Sequence, residues 1–326
     1  MVLASLLKTK LFAHFETMRP YTLFWCGLVS LLGACLMYGD LPPLSISLLI
    51  FVIPVFGWIA GLYLADYFDR TLDAIQKPHR PIPSGKISPR EVLCIGALYA
   101  LLGLGLTLLL PLINLFLVFL AGLLVFLYAK FTKAQGLLGN FNRGAMTVVT
   151  YLFGVFSLSS FSSIPSSLWI LCLVFFFHDT NSNIIGAIRD VHGDRSGGYV
   201  TTPVRYGIRK TLYISMFLSM VYLLLTLGVY SFSDIIPYPT FFLLLLFVGI
   251  LTLCMMYQIL FTAGSELTQR QSLRAHELFV AERIIFASAF IIGTVRLPLL
   301  SFSIFLVCLV LTLLSQYLLR QRYELT

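Results

Sequence analysis

The chain has 326 residues, of which 59% are hydrophobic and only 11% charged, and its mean hydropathy is +0.93. Ordinary soluble domains carry about 25% charged residues, so this composition excludes a soluble globular protein. The net charge of +8 is better explained by basic loops beside a membrane than by nucleic acid binding, and we expect no nucleic acid partner.

Apolar windows along the chain predict an all-α, polytopic membrane protein with nine to ten transmembrane helices. Residues 1–20 mix basic residues with short apolar patches, and we expect a cytoplasmic or interfacial segment there that leads into a transmembrane domain at 21–326. The predicted spans are 21–38, 44–65, 92–110, 112–129, 144–161, 167–187, 211–231, 239–263, 281–296 and 299–319.

The loops between these spans fall into two groups, one without Lys or Arg and one rich in both. Basic residues mark the cytoplasmic side of membrane proteins, so we expect both termini and every basic loop to lie there. This assignment favours ten spans over nine. It also predicts a multi-pass protein of the plasma membrane, if the host is prokaryotic. The basic loops are 70–90, 130–143, 189–210 and 270–274.

Three aspartates, Asp66, Asp69 and Asp73, follow directly on the second predicted span. Their spacing of three and then four residues places them on one face of a helix. A charged residue near the centre of a membrane helix costs about 2.5–3.5 kcal/mol, so such residues usually mark a functional site. Three like charges on one face also repel each other, and a divalent cation with oxygen ligands relieves that repulsion.

A second acidic segment follows the sixth predicted span, where Asp190 and Asp194 are four residues apart. Both acidic segments emerge on the same side of the membrane, so they can meet in one cavity. One such motif alone would be a solvated helix end, but two of them beside basic loops favour a functional site. Mg²⁺ prefers one or two carboxylates together with phosphate oxygens, and Arg binds phosphate in bidentate fashion. The pattern therefore suits a diphosphate.

The stretch from Asp66 to Asp73, with the following Lys77-Pro-His-Arg-Pro-Ile-Pro-Ser-Gly85, resembles the first aspartate-rich motif of the UbiA superfamily of intramembrane prenyltransferases. The stretch from Asp190 to Arg195, with the following Thr202-Pro-Val-Arg-Tyr-Gly207, is similar to the second motif. The resemblance implies a helical bundle around a central cavity that binds Mg²⁺ and a prenyl diphosphate. It also implies transfer of the prenyl group to an aromatic or lipid-like acceptor.

The same resemblance implies roles for individual residues. Asp69 and Asp73 would bind one Mg²⁺, Asp190 and Asp194 would bind the other, and Asp66 is a further candidate for the metal site. The implied reaction is ionisation, in which metal and cationic side chains stabilise the departing diphosphate while an allylic carbocation forms in an apolar chamber. The implied contacts of the diphosphate are Lys77, Arg80, Lys130 and Arg195.

Two places depart from the family pattern and leave the reaction open. Ala65 stands where the family has Asn, and Gly186-Ala187 stands where many members have Lys-Asp. A UbiA-type terpene cyclase, which closes the prenyl diphosphate on itself, is therefore an alternative to a transferase. A membrane transporter is more distant, because transporters place ionisable residues near the bilayer midplane rather than at helix ends.

Two further groups of polar residues lie in or beside predicted spans. His178 and Asp179 face either a cavity or a neighbouring helix, because an ionisable residue inside a span needs a partner. The polar residues that precede the ninth predicted span form either a cytoplasmic cap or a salt-bridge cluster at the membrane interface, and we favour the salt-bridge cluster. They are His276, Glu277, Glu282 and Arg283.

Overall fold

The computed structural model describes residues 2–158 and 164–324, and within them the chain forms helices joined by short turns. The first seven helices are α1 Val2–Met18, α2 Leu23–Tyr38, α3 Leu44–Gln76, α4 Pro89–Thr107, α5 Leu112–Leu127, α6 Leu137–Phe156 and α7 Ser166–Ser196. They are followed by α8 Thr202–Tyr206, α9 Ile208–Phe232, α10 Pro239–Ala263, α11 Gln269–Thr294, α12 Pro298–Ser315 and α13 Gln321–Glu324.

The predicted membrane bundle is confirmed. Each predicted span coincides with one of the helices α2 to α7 and α9 to α12, although the end of the fifth, residues 159–161, lies outside the described residues. Among the described residues, eight helical stretches are long and apolar enough to cross a membrane. Helices α6 and α11 are not among them, because both carry polar side chains that face the protein interior.

Helices α2 and α11 form the centre of the bundle. Nearly all of α2 is buried, and α11 is buried continuously from Phe279 to Thr294. A helix that is buried all round must have neighbours on every side, and α11 packs against α2, α7, α10 and α12. Helix α2 in turn packs against α3 and α6. The remaining helices expose apolar side chains on their outer faces, as expected of a surface in contact with lipid.

Helices α3 and α7 extend well beyond the predicted spans, to Gln76 and Ser196. At 1.5 Å per residue, the 33 residues of α3 and 31 residues of α7 measure about 50 and 46 Å, against a hydrocarbon layer of about 30 Å. Their last turns therefore leave the apolar layer, and these are the turns that carry the aspartates. Hydropathy windows end where charged residues begin, which is why the sequence-based boundaries are too short.

The two ends of the described chain meet at the end of the bundle where α3 and α7 finish. Helix α1 packs on α3, where His14 Nδ1 lies 3.0 Å from the Tyr63 hydroxyl. It ends at Met18, and the next residue, Arg19, has a left-handed φ of 45° and precedes Pro20. A non-glycine residue in that region costs about 1–2 kcal/mol. The turn it makes directs the Arg19 side chain to Asp66.

Candidate active site

A cavity of about 530 Å³ opens between α3, α6 and α7, where the two acidic segments come together. Four of the predicted aspartates line it: Asp69 and Asp73 from α3, and Asp190 and Asp194 from α7. The Lys and Arg residues around the same opening are Arg19, Lys77, Arg80, Lys133, Arg143, Arg189 and Arg283. Segments more than 100 residues apart in sequence thus form one wall of acids beside one ring of cations.

The α3 carboxylates each have a cationic partner. Arg80 Nη1 binds both oxygens of Asp73, at 2.9 and 3.0 Å, because the loop after α3 folds back over the last turn of the helix. Gly85 permits that loop, since its φ of 73° is left-handed. Asp69 forms a close ion pair with Lys133 and accepts a hydrogen bond from the Tyr199 hydroxyl at 3.4 Å.

The α7 carboxylates differ from each other. Asp190 pairs with Arg189 Nε at 3.0 Å and with Lys77 Nζ at 3.3 Å. Asp194 accepts a hydrogen bond from Thr201 Oγ1 at 3.1 Å, and no Lys or Arg of the described chain forms an ion pair with it. Asp194 is therefore the acid of this group that most lacks a positive partner.

The cations of the loops remain charged at neutral pH. Burial is the largest single influence and would lower the pKa of Lys133, but Asp69 and the other acidic groups around it together raise that pKa above its usual value. Burial would also lower the pKa of Arg80, whereas Tyr323, Asp73 and Glu324 around it raise that pKa well above its ordinary range. Both groups can therefore bind phosphate oxygens.

Glu324 of α13 lines the cavity and pairs with three of its cations. The Glu324 carboxylate lies 2.6 Å from Lys77 Nζ, 3.2 Å from Arg80 Nη2 and 3.1 Å from Arg189 Nη1. Although burial raises the pKa of Glu324, these three cations hold it well below the usual value. The Tyr323 hydroxyl donates to Asp66 Oδ2 at 2.7 Å.

The remaining predicted residues lie outside the cavity wall. Asp66 is buried behind it, between Arg19 and Tyr323. Lys130 is exposed, with its ammonium over the rings of Phe126 and Phe131 at 5.6 and 5.3 Å. Arg195 is also exposed, since it follows Asp194 on α7 and points about 100° away from it around the helix. The structure does not bring these three together with the four cavity acids.

Lys133 is one of the cavity cations that sequence reasoning did not assign to the site. It follows Lys130 by three residues in the same basic loop, after a π-helical turn at Tyr128–Thr132. Such a turn changes which side chains face inward, and composition gives no sign of it. A basic residue one helical turn beyond Lys130 was the only available signal.

The carboxylates suit Mg²⁺ as a shared rather than a fully protein-bound ion. Within the described residues, no three His, Cys, Asp or Glu side chains lie close enough to enclose a metal ion alone. The donors that face the cavity are carboxylate oxygens from two helices, and Asp194 has no cationic partner there. This donor set fits an ion that takes its other ligands from a phosphate and water.

An apolar chamber of about 390 Å³ continues the polar cavity between α3, α4, α5 and α6. The two spaces share wall residues, namely Trp58, Gly61, Val125 and Met146. The chamber is lined mainly by aliphatic and small side chains. The arrangement can therefore accommodate a ligand with a charged head near the carboxylates and an apolar chain in the chamber.

Ala65, Gly186 and Ala187, the departures from the family pattern, all line the polar cavity. Small side chains at these positions widen it. Two amides also line this cavity, and Asn140 Nδ2 donates to Asn183 Oδ1 at 2.7 Å.

Both polar pairs left open by the sequence lie in the core. His178 Nε2 is 2.9 Å from Glu282 Oε2, and both side chains are fully buried between α7 and α11. Arg283 Nη2 donates to Asp179 Oδ1 at 2.6 Å. The predicted salt-bridge pairing of Glu282 and Arg283 is thus present, and its partners lie on α7. Both residues are buried, because α11 begins twelve residues before the ninth apolar window and packs within the bundle where that window starts.

Residues 23–282 match the model of the UbiA prenyltransferase family. A digeranylgeranylglyceryl phosphate synthase from Thermococcus gammatolerans is 32% identical over 205 residues, which are 63% of this chain and 73% of that protein. A solved structure described for digeranylgeranylglyceryl phosphate synthase in membranes has a TM-score of 0.64 and 26% identity, over 88% of this chain and 99% of that one.

A UbiA homologue from Archaeoglobus fulgidus, solved with DMAPP and Mg²⁺, shares the fold, with a TM-score of 0.57 and 15% identity. The match covers 94% of this chain and 99% of that one.

Proposed function

We propose that this chain, which belongs to the UbiA prenyltransferase family and is an intramembrane prenyltransferase, uses Mg²⁺ to transfer a prenyl group onto a glycerophosphate-type lipid. The proposal rests on the observation that two cavities are adjacent and share part of their wall. One has carboxylates from two helices beside a ring of Lys and Arg, and the other is an apolar chamber that shares part of its wall.

The donor is a prenyl diphosphate with its head at the carboxylates and its chain in the apolar chamber. Asp69, Asp73, Asp190 and Asp194 would hold Mg²⁺, which supplies positive charge to the leaving diphosphate when it is bound. Lys77 and Arg80 donate hydrogen bonds to the outer phosphate oxygens. Lys133 stays fixed by Asp69 and adds positive charge at the cavity wall.

The reaction breaks the bond between the allylic carbon and the diphosphate oxygen, and the electron pair leaves with the diphosphate. Cationic side chains already in place stabilise that charge without reorganisation. The acceptor hydroxyl then forms a new carbon–oxygen bond, and its proton passes to the released diphosphate. Trp58 lies where the two spaces meet and offers an aromatic face to the developing allylic cation.

The acceptor class is supported by the relatives, which are named for a glyceryl phosphate carrying two geranylgeranyl groups. Ala65, Gly186 and Ala187 leave space beside the donor site for a bulky lipid acceptor. The basic loops favour placing this opening on the cytoplasmic side of the plasma membrane.

The test is product analysis by mass spectrometry of the purified protein with Mg²⁺ and prenyl diphosphates of several lengths. Each donor is incubated alone, with a prenylated glyceryl phosphate, or with an aromatic acid. We expect an ether-linked lipid only with the glyceryl phosphate. A cyclic hydrocarbon from the donor alone would instead establish the terpene cyclase alternative, and a prenylated aromatic acid would overturn the lipid acceptor.

A further inference from the structure

Arg143 on α6 is a cation of the cavity wall that the donor site does not use. Its guanidinium stacks on Trp58, with 4.3 Å from the central carbon to the ring centre, and pairs with Asp179 Oδ2 at 3.4 Å. Within residues 2–158 and 164–324 it donates no hydrogen bond of normal geometry to the protein. Its planar fork of N–H donors therefore faces the cavity and is available to an anion.

Asp179 forms ion pairs with two arginines, Arg143 and Arg283. Its other oxygen accepts from Arg283 at 2.6 Å, and Arg283 also lines the cavity. Glu282, the neighbouring acid, is bound by His178 and not by Arg143. Two guanidinium groups that line the cavity thus share one fully buried carboxylate, and this arrangement favours an anionic ligand beside Arg143.

The position of Arg143 separates it from the donor diphosphate. Its partner Asp179 precedes Asp190 by eleven residues on α7, which is about 16 Å along the helix axis. Asn183, Gly186 and Ala187 line the cavity between these two levels. An anion at Arg143 would therefore lie across the cavity from the diphosphate, with the reacting carbon and hydroxyl between them.

We propose that Arg143 binds the phosphate headgroup of the acceptor. This inference rests on the proposed function, because it assigns a subsite for the acceptor of the same prenyl transfer. The guanidinium can donate hydrogen bonds to two phosphate oxygens, and stacking on Trp58 fixes its plane. A neutral acceptor of equal length would lack this contact.

The test measures binding without donor, so that it does not depend on turnover. Full-length protein in nanodiscs is titrated with a prenylated glyceryl phosphate and with the same lipid bearing a hydroxyl in place of its phosphate. We expect the wild type to prefer the phosphate lipid by about ten- to a hundredfold, the range for a charged hydrogen bond. In Arg143→Gln the preference disappears, and in Arg143→Lys part of it returns.

Arg274→Gln is the matched control, because Arg274 is 67% exposed on its side chain and lies outside the cavity. It should keep the wild-type preference. An unchanged preference in folded Arg143→Gln, or no preference in the wild type, would overturn the subsite. If Arg143→Gln loses the preference but the wild-type protein forms no ether product in the product analysis, the subsite is supported and the proposed function is contradicted.

A separate observation concerns Glu324 in α13. Its carboxylate pairs with three cations that a donor phosphate would need. Lys77, Arg80 and Arg189 converge on its carboxylate within 3.2 Å, and Glu324 is 5% exposed. Tyr323 fixes the turn through Asp66 and Arg19. A carboxylate held by three cations is the arrangement expected of a bound phosphate.

We infer that α13 is a lid whose Glu324 occupies a phosphate position until the donor displaces it. Glu324→Gln should bind the donor more tightly, and Glu266→Gln, an exposed acid in the turn after α10, should not. Hydrogen exchange of residues 316–324 should increase when inorganic diphosphate and Mg²⁺ are added. Wild-type donor affinity in Glu324→Gln, or unchanged exchange on addition of diphosphate, would overturn the lid.

Discussion

Lys133 and Lys130 are three residues apart, but only Lys133 lies at the cavity, where it pairs with Asp69. We expect Lys133→Gln to lower kcat/KM for the donor about ten- to a hundredfold, because the positive charge that Lys133 adds at the cavity wall near the leaving group is lost. Lys130→Gln should change it less than about threefold, since an exposed side chain interacts through solvent. Steady-state kinetics at varied donor concentration measures kcat/KM for both variants. A larger loss of kcat/KM in Lys130→Gln than in Lys133→Gln would support the sequence-based assignment instead.

The four cavity acids could be predicted because helical spacing alone places them on one face. The other partners depend on long-range contacts. Glu324 reaches Lys77 across 247 positions, and Arg283 reaches Asp179 across 104. A single sequence contains no signal for either contact. Asp66, Lys130 and Arg195 stay predictions as metal or diphosphate ligands.

At the scale of elements, the close approach of α2 and α6 holds one side of the cavity. A Cβ atom on Gly154 would lie 1.9 Å from the Ser30 carbonyl oxygen, so α6 cannot accept a side chain there without moving. The spans themselves were predictable from hydropathy, whereas this contact was not. The lengths of α3 and α7 were also not predicted, because a hydropathy window excludes the charged residues of their last turns.

Gly154→Ala should therefore destabilise the bundle by about 1–3 kcal/mol through overpacking. The matched control is Gly228→Ala on α9, where an added Cβ has no neighbour within 4 Å and the change should stay below about 1 kcal/mol. Thermal unfolding in the same detergent compares the two variants. An equal effect of both substitutions would show that the α2–α6 contact does not limit stability.

At the scale of the whole molecule, the distribution of basic loops predicts the orientation. Ser84 is exposed in a basic loop, and Asp234 is exposed in a loop without Lys or Arg. In intact cells an impermeant maleimide should label Asp234→Cys and leave Ser84→Cys unlabelled until the membrane is opened. Wild-type protein controls for the native cysteines, all of which lie within helices. The reverse labelling pattern would place the active site outside.

The central claim is that two aspartate pairs from α3 and α7 form one donor site. The most direct measurement is Mg²⁺-dependent diphosphate release from a prenyl diphosphate and acceptor by Asp69→Asn and Asp190→Asn. Asp234→Asn, far from the cavity, serves as the control. We predict a loss of at least about a thousandfold in each of the first two, because each removes a charge needed to bind metal and diphosphate. Near-normal release by either variant would contradict the account.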